Sequence, residues 1–98
     1  MKAYLQVDFN ITELELFMQY VEKVPALIEK HEGRYLVKGV EPIVVQSDGE
    51  TALRSVVIEF PSMERAQSFI QEREDSGLLQ IWKQSTRARI SLLEGCTE

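Results

Sequence analysis

The chain has 98 residues, of which 44% are hydrophobic and 28% are charged, and its formal net charge is −5 at pH 7. These values predict a single globular domain over residues 1–98, small enough that a partner subunit could add to its stability. The negative net charge argues against general nucleic-acid binding, because phosphate contacts need a clustered positive surface. No stretch approaches the roughly 18 apolar residues of a membrane-spanning helix, and the N-terminus lacks the apolar block of a secretion signal. With one cysteine, Cys96, the sequence favours a cytoplasmic protein without disulfides.

The first predicted element is a strand over residues 3–9. Apolar and polar side chains alternate there with the period of a strand that has one buried face. Ala3, Leu5, Val7 and Phe9 form the apolar face, and Tyr4, Gln6 and Asp8 form the polar one. The polar face, with the aromatic ring of Tyr4, suits either water or the wall of a pocket.

A helix is predicted next. Thr12 and Glu15 match the T-x-x-E pattern of a capping box, which predicts the helix start. Pro25 lies inside the helical pattern and predicts a kink or a fresh first turn there. The helix is expected to end at residues 31–32, with Gly33 as its left-handed C-terminal residue. Its apolar stripe repeats at three- and four-residue steps and comprises Leu14, Phe17, Val21, Val24 and Ile28.

Residues 34–40 predict the second strand. Gly39 and Pro42 are poorly suited to a central strand, so an edge strand with a bulge is expected. The strand is expected to resume at residues 43–45 and to end in an Asp-Gly hairpin turn at residues 48–49. Simple alternation would place Tyr35 and Val37 on one side and Arg34, Leu36 and Lys38 on the other.

The second half of the chain predicts a strand, two helical segments and a last strand. Residues 55–60 are apolar except for Glu59, as in a central strand covered on both sides. Ser62 follows Pro61 and is expected to cap a helix. Residues 71–76 form a polar run that interrupts this helix, and residues 88–93 alternate as the final strand. The apolar positions of the two helical segments are Met63, Ala66, Phe69 and Ile70, then Leu78, Leu79, Ile81 and Trp82.

The resulting order β-α-β-β-α-β predicts an α+β, ferredoxin-like domain with a four-stranded antiparallel sheet. Right-handed crossovers would put both helices on one face of that sheet. The other face would then be uncovered, and such a semi-apolar surface usually indicates a partner. Two sheets facing each other in a twofold homodimer would bury this face and enclose a cavity. The side chains expected on it are Tyr4, Gln6, Val57 and Glu59.

Several uncommon residues also recur in order and at distances typical of one family. They are Val24 and Pro25, the run HEGRYLVKG at residues 31–39, Arg54, the run VIEFPS at residues 57–62, Ala66, Phe69, Glu94 and Gly95. With these residues the whole chain resembles the bacterial DUF1330 family, whose function is unknown and whose typical motif is HGGRYLVRGG. The chain departs from that pattern at Glu32, which replaces the first glycine. It also departs at Asp75 and Trp82, which take the places of a tyrosine and an arginine.

The resemblance implies a subunit of a dimeric α/β barrel, in a superfamily that includes cofactor-free monooxygenases and small-molecule isomerases. It implies no particular reaction, because a fold does not fix a function. No cofactor is expected. Haem is a lesser option, since some barrels of this superfamily bind it.

His31 is the sole histidine, and we predict it as a catalytic residue. It would be a general base or ligand-binding group at a cavity mouth, where the helix C-terminus favours the imidazolium. The alternative is a C-cap residue that bonds the last helical carbonyls. A metal site is not expected, because no second histidine or cysteine cluster exists to complete one.

Glu59 is the second predicted catalytic residue. Facing a cavity, its carboxyl would have a raised pKa and could act as a general base. The alternative is a structural pair with Lys38, which would lie opposite Glu59 if the hairpin had no bulge. Lys38, Arg34 and Arg54 are candidate anion-binding residues. Their alternative role is to protect an exposed edge strand by charge.

Two functional hypotheses follow from these residues. The first is a homodimeric barrel that binds a small anionic or aromatic molecule, or an enzyme that acts on such a compound. The second is a non-catalytic accessory or regulatory dimerisation module. The sequence has no Ser-His-Asp order, glycine-rich phosphate loop or CxxC motif, which argues against nucleotide and thiol-redox enzymes. The first hypothesis places His31 and Glu59 in a cleft whose ligand-binding residues are Tyr4, Arg34, Tyr35, Lys38 and Arg54.

Overall fold

The structure is a computed structural model that describes residues 1–97. Its elements are β1 (Ala3–Ile11), α1 (Leu14–Lys30), β2 (Arg34–Val40), β3 (Arg54–Phe60), α2 (Met63–Asp75), α3 (Leu78–Ser85) and β4 (Thr86–Glu94). The four strands form one antiparallel sheet in the order β2-β3-β1-β4. The predicted ferredoxin-like fold is therefore confirmed. Within one chain the sheet is open, with β2 and β4 at its edges, so a closed barrel would need a second chain.

The helices cover one side of the sheet, which we call the helical face. The β1 residues Ala3, Leu5 and Val7 lie on this face, opposite Phe60, Ile58 and Val56 of β3. They pack with the buried residues of the three helices in one core, whose largest side chains include Tyr20, Phe60, Phe69 and Trp82. The opposite side, which we call the open face, carries Tyr4, Gln6, Val57 and Glu59, as predicted. In residues 1–97 no helix is long and apolar enough to cross a membrane.

The start of α1 is held by a tertiary contact instead of the predicted capping box. Glu13 occupies the N-cap position, and its side chain makes no capping hydrogen bond. The backbone N–H groups of Thr12 and Glu13 instead donate to the carbonyl of Ser85, at 2.8 and 3.3 Å. The helix then runs without interruption through Pro25, which does not begin a new helix.

The end of α1 reverses the chain at Glu32, whose φ is 62°. The N–H of Gly33 donates to the carbonyl of Ile28 at 2.9 Å, which closes the last turn. The prediction that Gly33 adopts the left-handed conformation is wrong by one residue. Glycine is required at position 33 for a steric reason. An added Cβ would lie only 2.7 Å from Phe60 Cε1 and 2.8 Å from Ile28 Cγ2.

β2 is an edge strand with two irregularities, so the predicted bulge is confirmed. Its register with β3 shifts between Tyr35 and Val37 and again between Lys38 and Val40. The extra residue at Leu36 places Lys38 opposite Val56, on the helical face with Tyr35. The predicted alternation, which put Lys38 and Tyr35 on opposite sides, is therefore wrong. The second shift is at Gly39, where φ is 69°.

The connection between β2 and β3 has no strand, so the strand predicted at residues 43–45 is wrong. Ile43 and Val45 are 93% and 96% exposed, because nothing in residues 1–97 packs on them. The connection returns to the sheet where the N–H of Leu53 donates to Asn10 Oδ1 at 2.7 Å. β3 lies inside the sheet as predicted, but its open face has no helix over it. The predicted Ser62 cap is confirmed, since its hydroxyl accepts from the N–H of Arg65.

The positive φ of Glu32 predicts a measurable backbone strain. Glu32→Gly should be about 1 kcal/mol more stable than Glu32→Ala, because glycine alone adopts this conformation without a steric cost. Both variants remove the exposed ion pair between Glu32 and Arg65, so their difference isolates the backbone effect. Urea denaturation would measure it, and equal midpoints for the two variants would rule the strain out.

Candidate functional site

A cavity of about 400 Å³ lies between α1 and the helical face of the sheet. This volume is in the usual range for sites that hold small organic molecules. Residues of all four strands and all three helices contribute to the lining, which is mainly apolar. Its aromatic members are Phe9, Phe17, Tyr20, Tyr35, Phe69 and Trp82.

The cavity wall also contains a buried cation, Arg73, in the last turn of α2. Arg73 follows Ala66 and Phe69 along the buried side of the helix, and it is only 6% exposed. Its Nε donates to the hydroxyl of Tyr20 at 2.8 Å. Its Cζ lies 5.7 Å from the ring centroids of both Tyr20 and Trp82, within the range of cation–π attraction.

The charge of Arg73 has no compensating anion within residues 1–97. Its Nη2 is buried without a hydrogen-bond partner, and no carboxylate pairs with its guanidinium in that range. Buried arginines are normally paired, because an uncompensated charge in a low-dielectric interior is costly. Arg73 therefore lines an apolar cavity and holds an unused hydrogen-bond donor, Nη2, that neighbouring atoms cover.

Tyr20 offers a second donor beside Arg73. Its oxygen accepts the bond from Arg73, so its own proton is free for another acceptor. Burial raises the pKa of the Tyr20 phenol, and the nearby Arg73 charge opposes part of that rise. Burial also raises the pKa of Tyr35, the other tyrosine in the cavity. Both phenols are therefore protonated at neutral pH.

Two further cations line the cavity on the β2–β3 side. Lys38 places its Nζ 4.9 Å from the centroid of the Tyr35 ring. Arg54 donates from Nη1 to the carbonyl of Gly39 at 3.1 Å. Among the described residues that line the cavity, none is a carboxylate or a histidine. The cavity is thus positively charged within a chain of net charge −5.

Tyr35, Lys38 and Arg54 line this cavity, but the other predicted site residues do not. Glu59, Arg34 and Tyr4 lie together on the open face, because Glu59 is opposite Tyr4 of β1 and Arg34 of β2.

Glu59 Oε1 accepts from Arg34 Nε at 2.8 Å and lies 3.5 Å from Lys2 Nζ. Arg34 and Lys2 hold the pKa of the Glu59 carboxyl below its usual range, against a smaller effect of burial. The expected raised pKa is therefore wrong. Glu59 forms a pair, but with Arg34, because the bulge moves Lys38 opposite Val56.

His31 joins the end of α1 to α2. Its Nε2 lies 3.0 Å from Glu72 Oε1, and its ring meets Phe69 edge-on. Lys30 and His31 together lower the pKa of Glu72. His31 therefore lies away from Glu59 and outside the cavity, so it does not fit an axial haem ligand there. No cluster of histidine, cysteine or acidic residues within 1–97 could hold a metal ion.

The family model of the domain of unknown function DUF1330 matches residues 2–96. The chain belongs to the DUF1330 family. No curated protein matches this DUF1330 sequence.

Three solved structures show the same fold as this DUF1330 chain. A protein of unknown function from Rhodopseudomonas palustris has 11% identity and a TM-score of 0.72, over 99% of this chain and 84% of that one. SnoaB, a cofactor-independent oxygenase from Streptomyces nogalater, has 6% identity and a TM-score of 0.67, over 99% and 95%. A dimeric protein of unknown function with a ferredoxin-like fold, from Bacteroides fragilis, has 14% identity and a TM-score of 0.60, over 96% of each chain. At these identities the likeness shows the fold alone.

Arg73 and Tyr20 line the cavity of this DUF1330 chain, although neither was among the site residues predicted from the sequence. Residues 71–76 were interpreted as a polar interruption, whereas α2 continues to Asp75. The sequence feature that indicates a buried Arg73 is its spacing from Ala66 and Phe69, which places all three residues on one side of a helix. Trp82, one of the apolar positions predicted for the second helical segment, is buried and also forms part of the cavity wall.

The lowered pKa of Glu59 predicts a loss of stability in acid. A carboxyl with a lower pKa in the folded than in the unfolded chain stabilises the fold above the unfolded value, and this contribution disappears as pH falls through the folded value. The Tm of the wild type should therefore fall more steeply between about pH 5 and pH 3 than that of Glu59→Gln. Glu22→Gln, which changes an exposed carboxyl on α1, should keep the wild-type slope. Parallel curves for the wild type and Glu59→Gln would contradict this assignment.

Proposed function

We propose that this DUF1330 domain binds a small, largely aromatic organic molecule in the cavity between α1 and the helical face. The observation that carries the proposal is the cavity itself, which combines six aromatic side chains with a few polar groups. Apolar walls supply affinity for a ligand, while a small number of polar groups fix its orientation. Tyr20, Tyr35 and Arg73 would provide that orientation here.

Structural similarity supports this class of function. SnoaB, which shares the fold, is described as a cofactor-independent oxygenase. The cavity of this chain could likewise hold an aromatic ligand against its apolar walls. The lining offers donors that would stabilise a developing oxyanion, namely Tyr20 and Arg73. Among the described residues, the lining offers no carboxylate or imidazole that could act as a base. The proposed function is therefore ligand binding and does not include proton abstraction. For the same reason His31 and Glu59 have no catalytic role in this proposal.

A ligand screen tests the cavity directly. Aromatic carboxylates, phenols and quinones should include compounds that raise the Tm and change the fluorescence of Trp82, the sole tryptophan. Val21→Phe, which enlarges a side chain in the cavity lining, should weaken their binding.

The matched control is Glu22→Phe, which adds the same ring to the exposed neighbouring position of α1. It should leave binding unchanged. If no compound binds, or if both variants behave alike, the cavity is not the binding site.

We further propose that two copies of the chain associate through their open faces. This face has no helix over it, and its apolar members include Val40 and Leu93, which are 52% and 45% exposed. The ion pair of Arg34 and Glu59 lies on the same face, so association would bury charges that are already paired. The similar protein from Bacteroides fragilis is described as dimeric. The same uncovered face supports the alternative function, an accessory or regulatory dimerisation module without a ligand.

Sedimentation or light scattering tests the dimer. The wild type should be dimeric, and Val57→Lys should be monomeric, because it would place an unpaired charge in the centre of the buried face. Gln67→Lys adds the same charge to the exposed side of α2 and should remain dimeric. A monomeric wild type would exclude this association. A dimer that binds no compound of the screen would favour the accessory module.

A further inference from the structure

We infer that the Arg73 guanidinium and the Tyr20 hydroxyl form a two-donor site that binds the carboxylate of an aromatic or similarly apolar acid. This inference rests on the proposed function, since it specifies which end of the ligand the cavity recognises and by which atoms. Its starting point is that one nitrogen of the buried Arg73 guanidinium, Nη2, lacks an acceptor in a cavity without carboxylates.

The donors of Arg73 and Tyr20 are arranged side by side. Nε and Nη2 lie along the same edge of the planar guanidinium, and Nε already donates to the Tyr20 oxygen at 2.8 Å. The free Nη2 therefore lies next to the hydroxyl whose proton is also free. One N–H and one O–H in this arrangement match the two oxygens of a carboxylate.

The surroundings of the pair define the rest of the ligand. Trp82 lies 4.9 Å from the Tyr20 ring and 5.7 Å from the guanidinium, and Phe9 lies 5.1 Å from Trp82, measured to the ring centroids. A carboxylate attached to a flat apolar body could bind both donors while its body contacts these rings. An apolar neutral molecule would leave the guanidinium uncompensated, and an anion without an apolar body would leave the aromatic wall empty.

The competing explanation is that Arg73 is purely structural and ties α2 to α1 through Tyr20. The two explanations differ in what they predict for the empty protein. If the Arg73–Tyr20 hydrogen bond holds the helices together, replacing both residues by apolar ones should lower the Tm. If Arg73 is mainly an uncompensated buried charge, the same replacement should leave the Tm unchanged or raise it, because burying such a charge costs free energy.

The first experiment titrates the full chain with naphthoate and with naphthamide, a neutral analogue of the same shape, while Trp82 fluorescence is recorded. The wild type should bind naphthoate at least about tenfold more tightly, as expected for charge-assisted hydrogen bonds. Arg73→Met should lose this preference and still bind naphthamide. Tyr20→Phe should weaken naphthoate binding and leave naphthamide binding unchanged.

Two variants test whether the preference belongs to Arg73 in particular. Lys38→Met and Arg54→Met remove the other cations of the cavity lining, and each should retain the preference for naphthoate. Loss of the preference in either variant, with retention in Arg73→Met, would overturn the inference. Equal affinities of the wild type for the two probes would also overturn it, while leaving the proposed function intact. Failure of both probes to bind would count against the inference and the proposed function together.

The second experiment compares melting temperatures without ligand. The double variant Tyr20→Phe and Arg73→Met should melt at or above the wild-type Tm, and naphthoate should raise the Tm of the wild type only. A double variant that melts well below the wild type would show that Arg73 is structural. This comparison also covers the case in which Arg73→Met alone fails to fold because Tyr20 has lost its partner.

Discussion

The close approach of the chain at Gly33 is the constraint on which the rest of the structure depends. The backbone there lies against Phe60 and Ile28 so tightly that a Cβ would overlap both side chains. The contact fixes the end of α1 against the end of β3, and β2 must then begin directly beside β3. Glu32 accepts a positive φ to make the reversal, which costs about 1 kcal/mol in a residue with a side chain. The position of α1 over the sheet, and therefore the space beneath it, follows from this contact.

The irregular register of β2 distributes the cations of this strand between the two sides of the sheet. In a regular strand Arg34 and Lys38 would share a face. The extra residue at Leu36 leaves Arg34 on the open face, where it pairs with Glu59, and moves Lys38 to the cavity. One edge strand thereby contributes a charge to the cavity lining, apart from Arg73 and Tyr20, and an ion pair to the proposed dimer surface. Bulges commonly redirect side chains in this way next to functional sites.

Arg73 is the feature that packing alone does not explain. A methionine or leucine would continue the stripe of Ala66 and Phe69 without the cost of burying a charge. The helices instead enclose a guanidinium between Tyr20 and Trp82, which bonds through its Nε and leaves its Nη2 without a partner. Local violations of the rules of core formation are most often found at functional sites. The proposed ligand accounts for this one, because its carboxylate would supply the missing acceptor.

The sequence by itself determined the order of the elements, the sheet with one open face, the family and the bulged edge strand. These follow from short-range properties, namely hydrophobic periodicity, glycine and proline positions, and a run of characteristic residues around Gly33. Tertiary structure alone decided which charges meet. A bulge of one residue exchanges the faces of a strand, so the partner of Glu59 could not be read from alternation. The start of α1 likewise depends on the carbonyl of Ser85, a residue remote in sequence. The location of the cavity, on the helical face instead of between two sheets, depends on how three helices pack, because the void is what their side chains leave unfilled.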